Sequence, residues 1–198
     1  MTSANGSMSA TFKSQVKILG GAVALMWIAF FATVATHGAL LALGIIPRHL
    51  IGLRGILFAP FLHGSFAHLL ANSIPFALMG WLVMLRDSRH FVTVTAAAMV
   101  GSGLCAWLLG AAGSVHVGAS GVVFGYLGFL MLSGWYTRSA ASILISVLVT
   151  VLWGGLIFGV LPGQMGISWQ AHLGGFIGGA LAARSYRIRP AGPYGTAY

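Results

Sequence analysis

The stretch that decides the fold is GASGVVFGYLGFLMLSGWY, residues 118–136, an uncharged apolar run that opens on a serine between small residues. A run of this length and composition is typical of a membrane-spanning helix. Its glycines include Gly121 and Gly125, and glycine at four-residue spacing lets two membrane helices approach closely. The stretch therefore predicts a membrane helix that begins near Ser120 and packs against a neighbour.

A second stretch, AHLGGFIGGALAA at residues 171–183, is its predicted neighbour. It carries two small-residue pairs at the same spacing: Gly174 with Gly178, and Gly175 with Gly179. Close packing of the two helices at their first turns would bring the His172 ring to the Ser120 hydroxyl. A serine beside a histidine is the pairing of nucleophile and base used in covalent hydrolysis. A lone serine or histidine in a membrane helix is more often structural, so the prediction depends on this packing.

Composition sets the class of protein and excludes several kinds of chemistry. Of 198 residues, 58% are hydrophobic and 6% are charged, which indicates an integral membrane protein. Asp87 is the one acidic residue, so the chain cannot build an aspartate dyad, a two-carboxylate glycosidase or a carboxylate-rich metal site. We predict no cofactor and no metal. The net charge of +9 does not indicate nucleic-acid binding, because the basic residues separate apolar runs and form no stripe.

Six apolar segments predict an all-α, polytopic bundle of six transmembrane helices. Their approximate bounds are 18–35, 66–85, 91–112, 119–136, 140–160 and 168–183. Glycines and prolines interrupt residues 36–60, which we interpret as a loop partly embedded at the membrane interface. The predicted organisation is a cytoplasmic N-terminal tail at 1–17, a transmembrane domain at 18–186 and a cytoplasmic C-terminal tail at 187–198.

The basic residues predict the orientation of this bundle. Eight fall on one predicted face: Lys13, Lys17, Arg86, Arg89, Arg138, Arg184, Arg187 and Arg189. Arg48 and Arg54 fall on the other. Cytoplasmic loops are enriched in basic residues, so we predict a multi-pass protein of a bacterial plasma (inner) membrane with both termini cytoplasmic. Ser120 and His172 then lie level with each other, at the outer ends of their helices.

His68 and Asn72 are four residues apart in the second predicted span and share a helical face. Polar groups in lipid are costly unless they are paired. One interpretation is that the pair forms hydrogen bonds between helices. The other is that both side chains donate to a developing oxyanion, together with the Ser120 backbone N–H.

Three blocks of the chain together resemble the signature of rhomboid intramembrane serine proteases. The blocks are LHGSFAHLLAN at 62–72, GASG at 118–121 and AHLGG at 171–175. They have the family's order and compatible spacing, and the resemblance extends over about residues 51–183. It implies a six-helix rhomboid fold and a catalytic dyad of Ser120 as nucleophile and His172 as base. It also implies an oxyanion site formed by His68, Asn72 and the Ser120 N–H.

The resemblance assigns supporting parts to further residues. Gly118 and Gly121 would shape the turn at the nucleophile. Phe124 stands where the family often has a tyrosine beneath the histidine, and it can stack there but cannot hydrogen-bond. His63 matches a histidine of the same block, with a structural or an accessory part left open.

Other positions depart from the family's pattern or lie outside it. The first loop commonly carries Trp-Arg, where this chain has Leu53-Arg54, and a glutamate near the end of the second span is missing. None of these departures removes a reacting group. His116 lies near a predicted loop, and we interpret it as an ordinary interfacial histidine.

The function implied by the resemblance is intramembrane serine endopeptidase activity, with transmembrane protein substrates as partners within the lipid bilayer. One alternative is a catalytically inactive rhomboid-like protein that binds membrane clients. Another is a small channel or transporter, which the absence of an acidic relay and of a detectable internal repeat disfavours. The oligomeric state is left open.

Overall fold

The structure of the protein is a computed structural model that describes residues 2–86, 88–164 and 166–185. Its regular elements there are α- and 3₁₀-helices, and one isolated β-bridge joins Ile45 to His116. The α-helices are α1 (Thr2–Ala35), α2 (Gly55–Phe58), α3 (Phe66–Arg86), α4 (Ser88–Leu109), α5 (Ser120–Thr137), α6 (Ala140–Trp153) and α7 (Trp169–Ser185). The 3₁₀-helices are Ala39–Leu43, Leu50–Arg54, Ala59–Phe61 and Gly154–Val160. The all-α prediction is confirmed.

Within the part of the chain that the structure describes, four segments are long and apolar enough to cross a membrane: Ala10–Ala35, Phe66–Arg86, His90–Leu109 and Ala140–Val160. Helices α5 and α7 have 18 and 17 residues, so they are about 27 Å and 26 Å long at the α-helical rise. Twelve residues of α5 are buried, including Tyr126, Leu127 and Phe129. Helix α5 is therefore enclosed by the other helices.

The first helix differs from its predicted bounds. We expected a polar tail up to residue 17 and a span from residue 18, whereas α1 is helical from Thr2. The reason is visible at Gln15, which is buried. Its side chain accepts a hydrogen bond from Trp81 Nε1 at 3.3 Å and donates to the Met84 carbonyl at 3.4 Å. Packing against α3 thus accounts for the helix around Gln15, before the predicted start of the span.

The fifth predicted span is made of two kinds of helix. Helix α6 ends at Trp153, and the chain continues as a 3₁₀-helix over Gly154–Val160. Gly154 and Gly155 lie at this change, and glycine favours an interruption of an α-helix. The change of helix type determines where the carbonyl of Gly159 lies, which matters for the site described below.

The predicted glycine contact between α5 and α7 is confirmed. A Cβ added at Gly175 would overlap the Gly121 carbonyl, and one added at Gly179 would overlap the Gly125 carbonyl. The other glycine pair of α7 faces a different helix: Gly174 and Gly178 pack on the backbone of α4. Helix α7 therefore lies between α4 and α5 with its backbone close to both.

The segment between α1 and α3 is fastened to the loop that precedes α5. The backbone groups of Ile45 and His116 exchange two hydrogen bonds, at 3.0 Å and 2.9 Å. Arg48 Nη1 donates to the carbonyls of Leu108 and Gly110, at 3.3 Å and 2.8 Å. These bonds hold the loop between α4 and α5, and with it the start of α5, against the first loop of the chain.

Candidate active site

Ser120 and His172 are in direct contact. Ser120 is the first residue of α5, and His172 lies in the first turn of α7. The distance from Ser120 Oγ to His172 Nε2 is 2.8 Å, which is that of a hydrogen bond. The glycine packing of α5 on α7 brings the two side chains together, and the His172 ring is largely buried.

The other ring nitrogen of His172 has a partner that the sequence did not indicate. Nδ1 lies 3.0 Å from the carbonyl oxygen of Gly159. A carbonyl can only accept, so Nδ1 carries the proton and Nε2 is left with a lone pair facing the Ser120 hydroxyl. This is the tautomer that a base acting on a serine needs. The sequence predicted only stacking on Phe124 for this ring, and the structure adds a backbone hydrogen bond.

Phe124 lies flat against the His172 ring. The ring centroids are 4.1 Å apart and the planes are inclined by 11°. Gly159 completes this arrangement, because a Cβ there would lie 2.8 Å from Phe124 Cζ and 3.2 Å from His172 Nδ1. A larger residue at position 159 would displace one of the two rings. Stacking and a single carbonyl therefore hold the imidazole, and the residues that the structure describes include no aspartate or glutamate.

The turn before Ser120 is approached by both polar side chains of α3. Gly118 has φ +114°, a conformation that favours glycine. A Cβ at Gly118 would lie 2.6 Å from His68 Nε2 and 3.4 Å from Asn72 Nδ2. Asn72 is 5% exposed, and its Nδ2 has no hydrogen-bond partner among the described residues. A buried amide donor without an acceptor can serve a group that arrives with the substrate.

The start of α5 supplies backbone donors at the same place. The first N–H groups of a helix have no acceptor within the helix, and the helix dipole is positive there. Since Ser120 is the first helical residue, its own N–H is one of these groups. Gly121 keeps this turn close to its neighbours, because a Cβ there would overlap the Ser102 side chain and lie 3.2 Å from the Ala171 carbonyl.

His63 lies behind His68. It is fully buried, and the two ring centroids are 5.1 Å apart in an edge-to-face arrangement. Burial, and then the neighbouring His68, lower the pKa of His63 to about 4, and the Phe61 backbone carbonyl opposes this shift only in part. His63 is therefore neutral at physiological pH, and it packs against His68 without adding charge to the site.

A small cavity of about 20 Å³ lies next to Ser120. Its polar lining comes from Ser102, His116 and Ser168, and apolar residues of the first loop close it. This volume is enough for one water molecule, which needs two to four polar partners. His116, which we interpreted as an ordinary interfacial histidine, thus lies at the edge of the candidate site. This position could not be predicted from the sequence, because Ile45 and Ser168, which contact His116, are distant from it in the chain.

The protein is a helical membrane bundle in which a serine and a histidine form a hydrogen-bonded pair at the first turns of two helices. A family profile described as Rhomboid domain matches residues 52–188. An uncharacterized protein of Mycobacterium tuberculosis is 42% identical over 148 residues, 71% of this chain and 62% of that protein. RHOMBOID-like protein 7 of Arabidopsis thaliana is 33% identical over 68% of this chain and 43% of its own length. Rhomboid-like protease 5 of Toxoplasma gondii is 35% identical over 64% of this chain and 15% of its own length.

The chain belongs to the rhomboid family and is an integral membrane protein with the helical bundle of that family. It spans 62% of the length of the mycobacterial relative it matches. The matched region contains every predicted site residue, from His63 to His172.

Proposed function

We propose that the protein is an intramembrane serine endopeptidase that cleaves transmembrane segments of other membrane proteins. The observation that carries the proposal is the continuous hydrogen-bonded series from Ser120 Oγ through the His172 ring to the Gly159 carbonyl. It gives the serine a base of the correct tautomer, which is the arrangement that activates a hydroxyl nucleophile. The resemblance of the Toxoplasma relative, named a rhomboid-like protease, supports the same activity.

In the first half of the reaction, Ser120 Oγ attacks the carbonyl carbon of the scissile peptide bond. Its proton passes to His172 Nε2, and the carbonyl oxygen becomes an oxyanion. The Ser120 N–H, His68 and Asn72 are the donors that would stabilise this oxyanion. The C–N bond then breaks as His172 returns the proton to the leaving amine, which leaves the acyl group on Ser120.

In the second half, a water molecule attacks the acyl carbon and gives a proton to His172. Ser120 recovers that proton as the new carboxylic acid leaves. The cavity lined by Ser102, His116 and Ser168 has room for one water next to the nucleophile. A buried site needs such a reservoir, because bulk water is excluded from the interior of a bilayer.

The location of the reaction follows from the orientation we predicted. We propose that both termini are cytoplasmic in a bacterial plasma membrane, so that Ser120 opens toward the outer side. The charge distribution supports this orientation, and the mycobacterial relatives support a bacterial setting. Catalytically inactive relatives that bind clients are the alternative, and the retained Ser120 and His172 disfavour it.

A fluorophosphonate probe in detergent tests the proposal, because it phosphonylates a serine activated by a base and releases fluoride. We expect labelling of the wild type and none of Ser120→Ala or His172→Ala. Ser185→Ala, at the other end of α7, is the matched control and should be labelled normally. Unlabelled wild-type protein should also cleave reconstituted single-span membrane proteins, and labelling should abolish that cleavage. Equal labelling of Ser120→Ala and wild type would exclude Ser120 as the nucleophile.

A further inference from the structure

His116 is bonded through its backbone and through both ring nitrogens. Its backbone pairs with Ile45 in the bridge described above. Nδ1 lies 2.7 Å from Ser168 Oγ, and Nε2 lies 2.9 Å from Ser114 Oγ. The ring thus connects its own loop, between α4 and α5, to the residue that precedes α7.

The direction of these hydrogen bonds can be assigned. Ser114 Oγ donates its proton to the Ala111 carbonyl at 2.7 Å, so it must accept from His116 Nε2–H. Nδ1 is then unprotonated and accepts from the Ser168 hydroxyl. Ser168 Oγ in turn accepts from the Ala171 N–H at 3.3 Å. Each hydroxyl in this series therefore has one donating and one accepting contact.

Ser168 connects this series to the candidate dyad. Its side chain caps the first turn of α7 through the Ala171 N–H, and its carbonyl accepts from the His172 N–H at 3.1 Å. A displacement of Ser168 would therefore rotate or shift the turn that carries the His172 ring. The distance of 2.8 Å between Nε2 and Ser120 Oγ depends on that turn.

We propose that His116 is a positioning residue for His172, which acts by holding the Ser168 hydroxyl and so the first turn of α7. The inference rests on the proposed function, because it concerns the efficiency of the same dyad. His116 fastens the loop that leads into Ser120 and the turn that carries His172, so one ring sets the two halves of the site relative to each other.

The surroundings of His116 keep it in the required form. Burial lowers the pKa of His116 below its ordinary value. The ring is therefore neutral at neutral pH, and Nδ1 keeps the lone pair that accepts from Ser168. Gly110 leaves room for the ring, because a Cβ there would lie 2.6 Å from His116 Nε2.

Two amide substitutions separate this role from a general contribution to folding. The side-chain amide of His116→Asn places an oxygen near the position of Nδ1 and can still accept from Ser168. That of His116→Gln reaches the position of Nε2 and can donate to Ser114 only. His116→Asn thus keeps the hydrogen bond with Ser168, and His116→Gln keeps the one with Ser114. The position of α7 depends on the hydrogen bond with Ser168, whereas the stability of the loop depends on the hydrogen bonds with both Ser168 and Ser114.

The measurement is the second-order rate of labelling by a fluorophosphonate in detergent, with a thermal-unfolding curve for each variant. We expect His116→Asn to react within about threefold of the wild type and His116→Gln to react at least about tenfold more slowly. Ser114→Ala should resemble His116→Asn. His116→Gln combined with Ser168→Ala should react no more slowly than the slower of the two single variants, because they interrupt one series.

Equal rates in the Asn and Gln variants, whether both normal or both lost, would overturn the inference. A slower labelling rate in His116→Gln would also overturn the inference if the amount of folded protein fell to the same extent. A wild type that is not labelled at all would instead overturn the proposed function, so the two failures are distinguishable.

Discussion

At Asn72, the amide nitrogen is buried and has no acceptor among the described residues. An unpaired buried donor costs free energy of folding, on the order of 1–3 kcal/mol. An unpaired buried donor is expected at a position where it would bind an atom of the transition state instead of a neighbouring residue. Asn72 therefore differs from Tyr126, whose hydroxyl lies 2.8 Å from Thr95 Oγ1 and serves to pair helices α4 and α5.

Replacing Asn72 with alanine should slow peptide cleavage while the bundle stays folded. One preorganised oxyanion donor is worth about 10²–10³ in rate, and less where His68 and the Ser120 N–H compensate. Cleavage of a reconstituted substrate and thermal unfolding in detergent measure the two effects. Tyr126→Phe is the control, and it should affect unfolding more than the rate. An Asn72→Ala variant that loses its fold would identify the residue as structural.

Gly159 should tolerate no side chain. Gly159→Ala places a Cβ 2.8 Å from Phe124 Cζ and 3.2 Å from His172 Nδ1, so the stacked pair of Phe124 and His172 must shift. We expect fluorophosphonate labelling to slow by about tenfold or more, because small misplacements of catalytic groups can cost 10²-fold. Gly155→Ala in the same 3₁₀-helix has nothing within 4 Å and should react normally. Equal labelling rates in Gly159→Ala and Gly155→Ala would show that Gly159 does not hold the His172 ring in place.

At the scale of the helices, α7 lies so close to α4 and α5 that glycine backbones form the contacts. Such contacts depend on van der Waals packing, because lipid supplies no hydrophobic force between membrane helices. A side chain added in place of a glycine at this interface would therefore push two backbones apart, because there is no empty space for it.

Gly179→Ala should destabilise the bundle, because its Cβ would overlap the Gly125 carbonyl, which belongs to backbone and cannot rotate away. Overpacking of this kind costs about 1–3 kcal/mol in the free energy of unfolding. Gly21→Ala in α1 has nothing within 4 Å and should leave unfolding unchanged or improve it. Unfolding in detergent, followed by circular dichroism, compares the two. A Gly179→Ala variant as stable as the wild type would contradict the packing described for α5 and α7.

The sequence predicted those features that have a side-chain or spacing signal. The apolar runs gave the helices, the glycine spacing gave the contact of α5 with α7, and the three blocks located Ser120 and His172. The partner of His172 Nδ1 could not be predicted, because a backbone carbonyl carries no residue signature and Gly159 is placed by the change from α6 to a 3₁₀-helix. His116 was missed because its contacts join residues about 50 to 70 positions apart in the chain.

For the whole molecule, the arrangement of the helices separates two groups of arginines. Arg86, at the end of α3, donates to Ser133 Oγ at 2.6 Å and to the Ser142 carbonyl at 3.2 Å, so it lies beside the loop between α5 and α6. Arg48 is bonded to the far end of α4, beside the loop that leads to Ser120. The two loops thus lie at opposite ends of the bundle, as the predicted orientation requires.

Two exposed positions test which end faces the cytoplasm. Ala112 lies in the loop before α5, and Ala140 is the first residue of α6. In a Cys105→Ala background, which removes the one native cysteine, an impermeant maleimide should label Ala112→Cys in intact bacterial cells. It should label Ala140→Cys only after the membrane is permeabilised, because basic loops remain cytoplasmic. The reverse pattern would place Ser120 at the cytoplasmic side and overturn the outward opening of the site. It would leave the contact between Ser120 and His172 untouched, since that contact depends on helix packing and not on orientation.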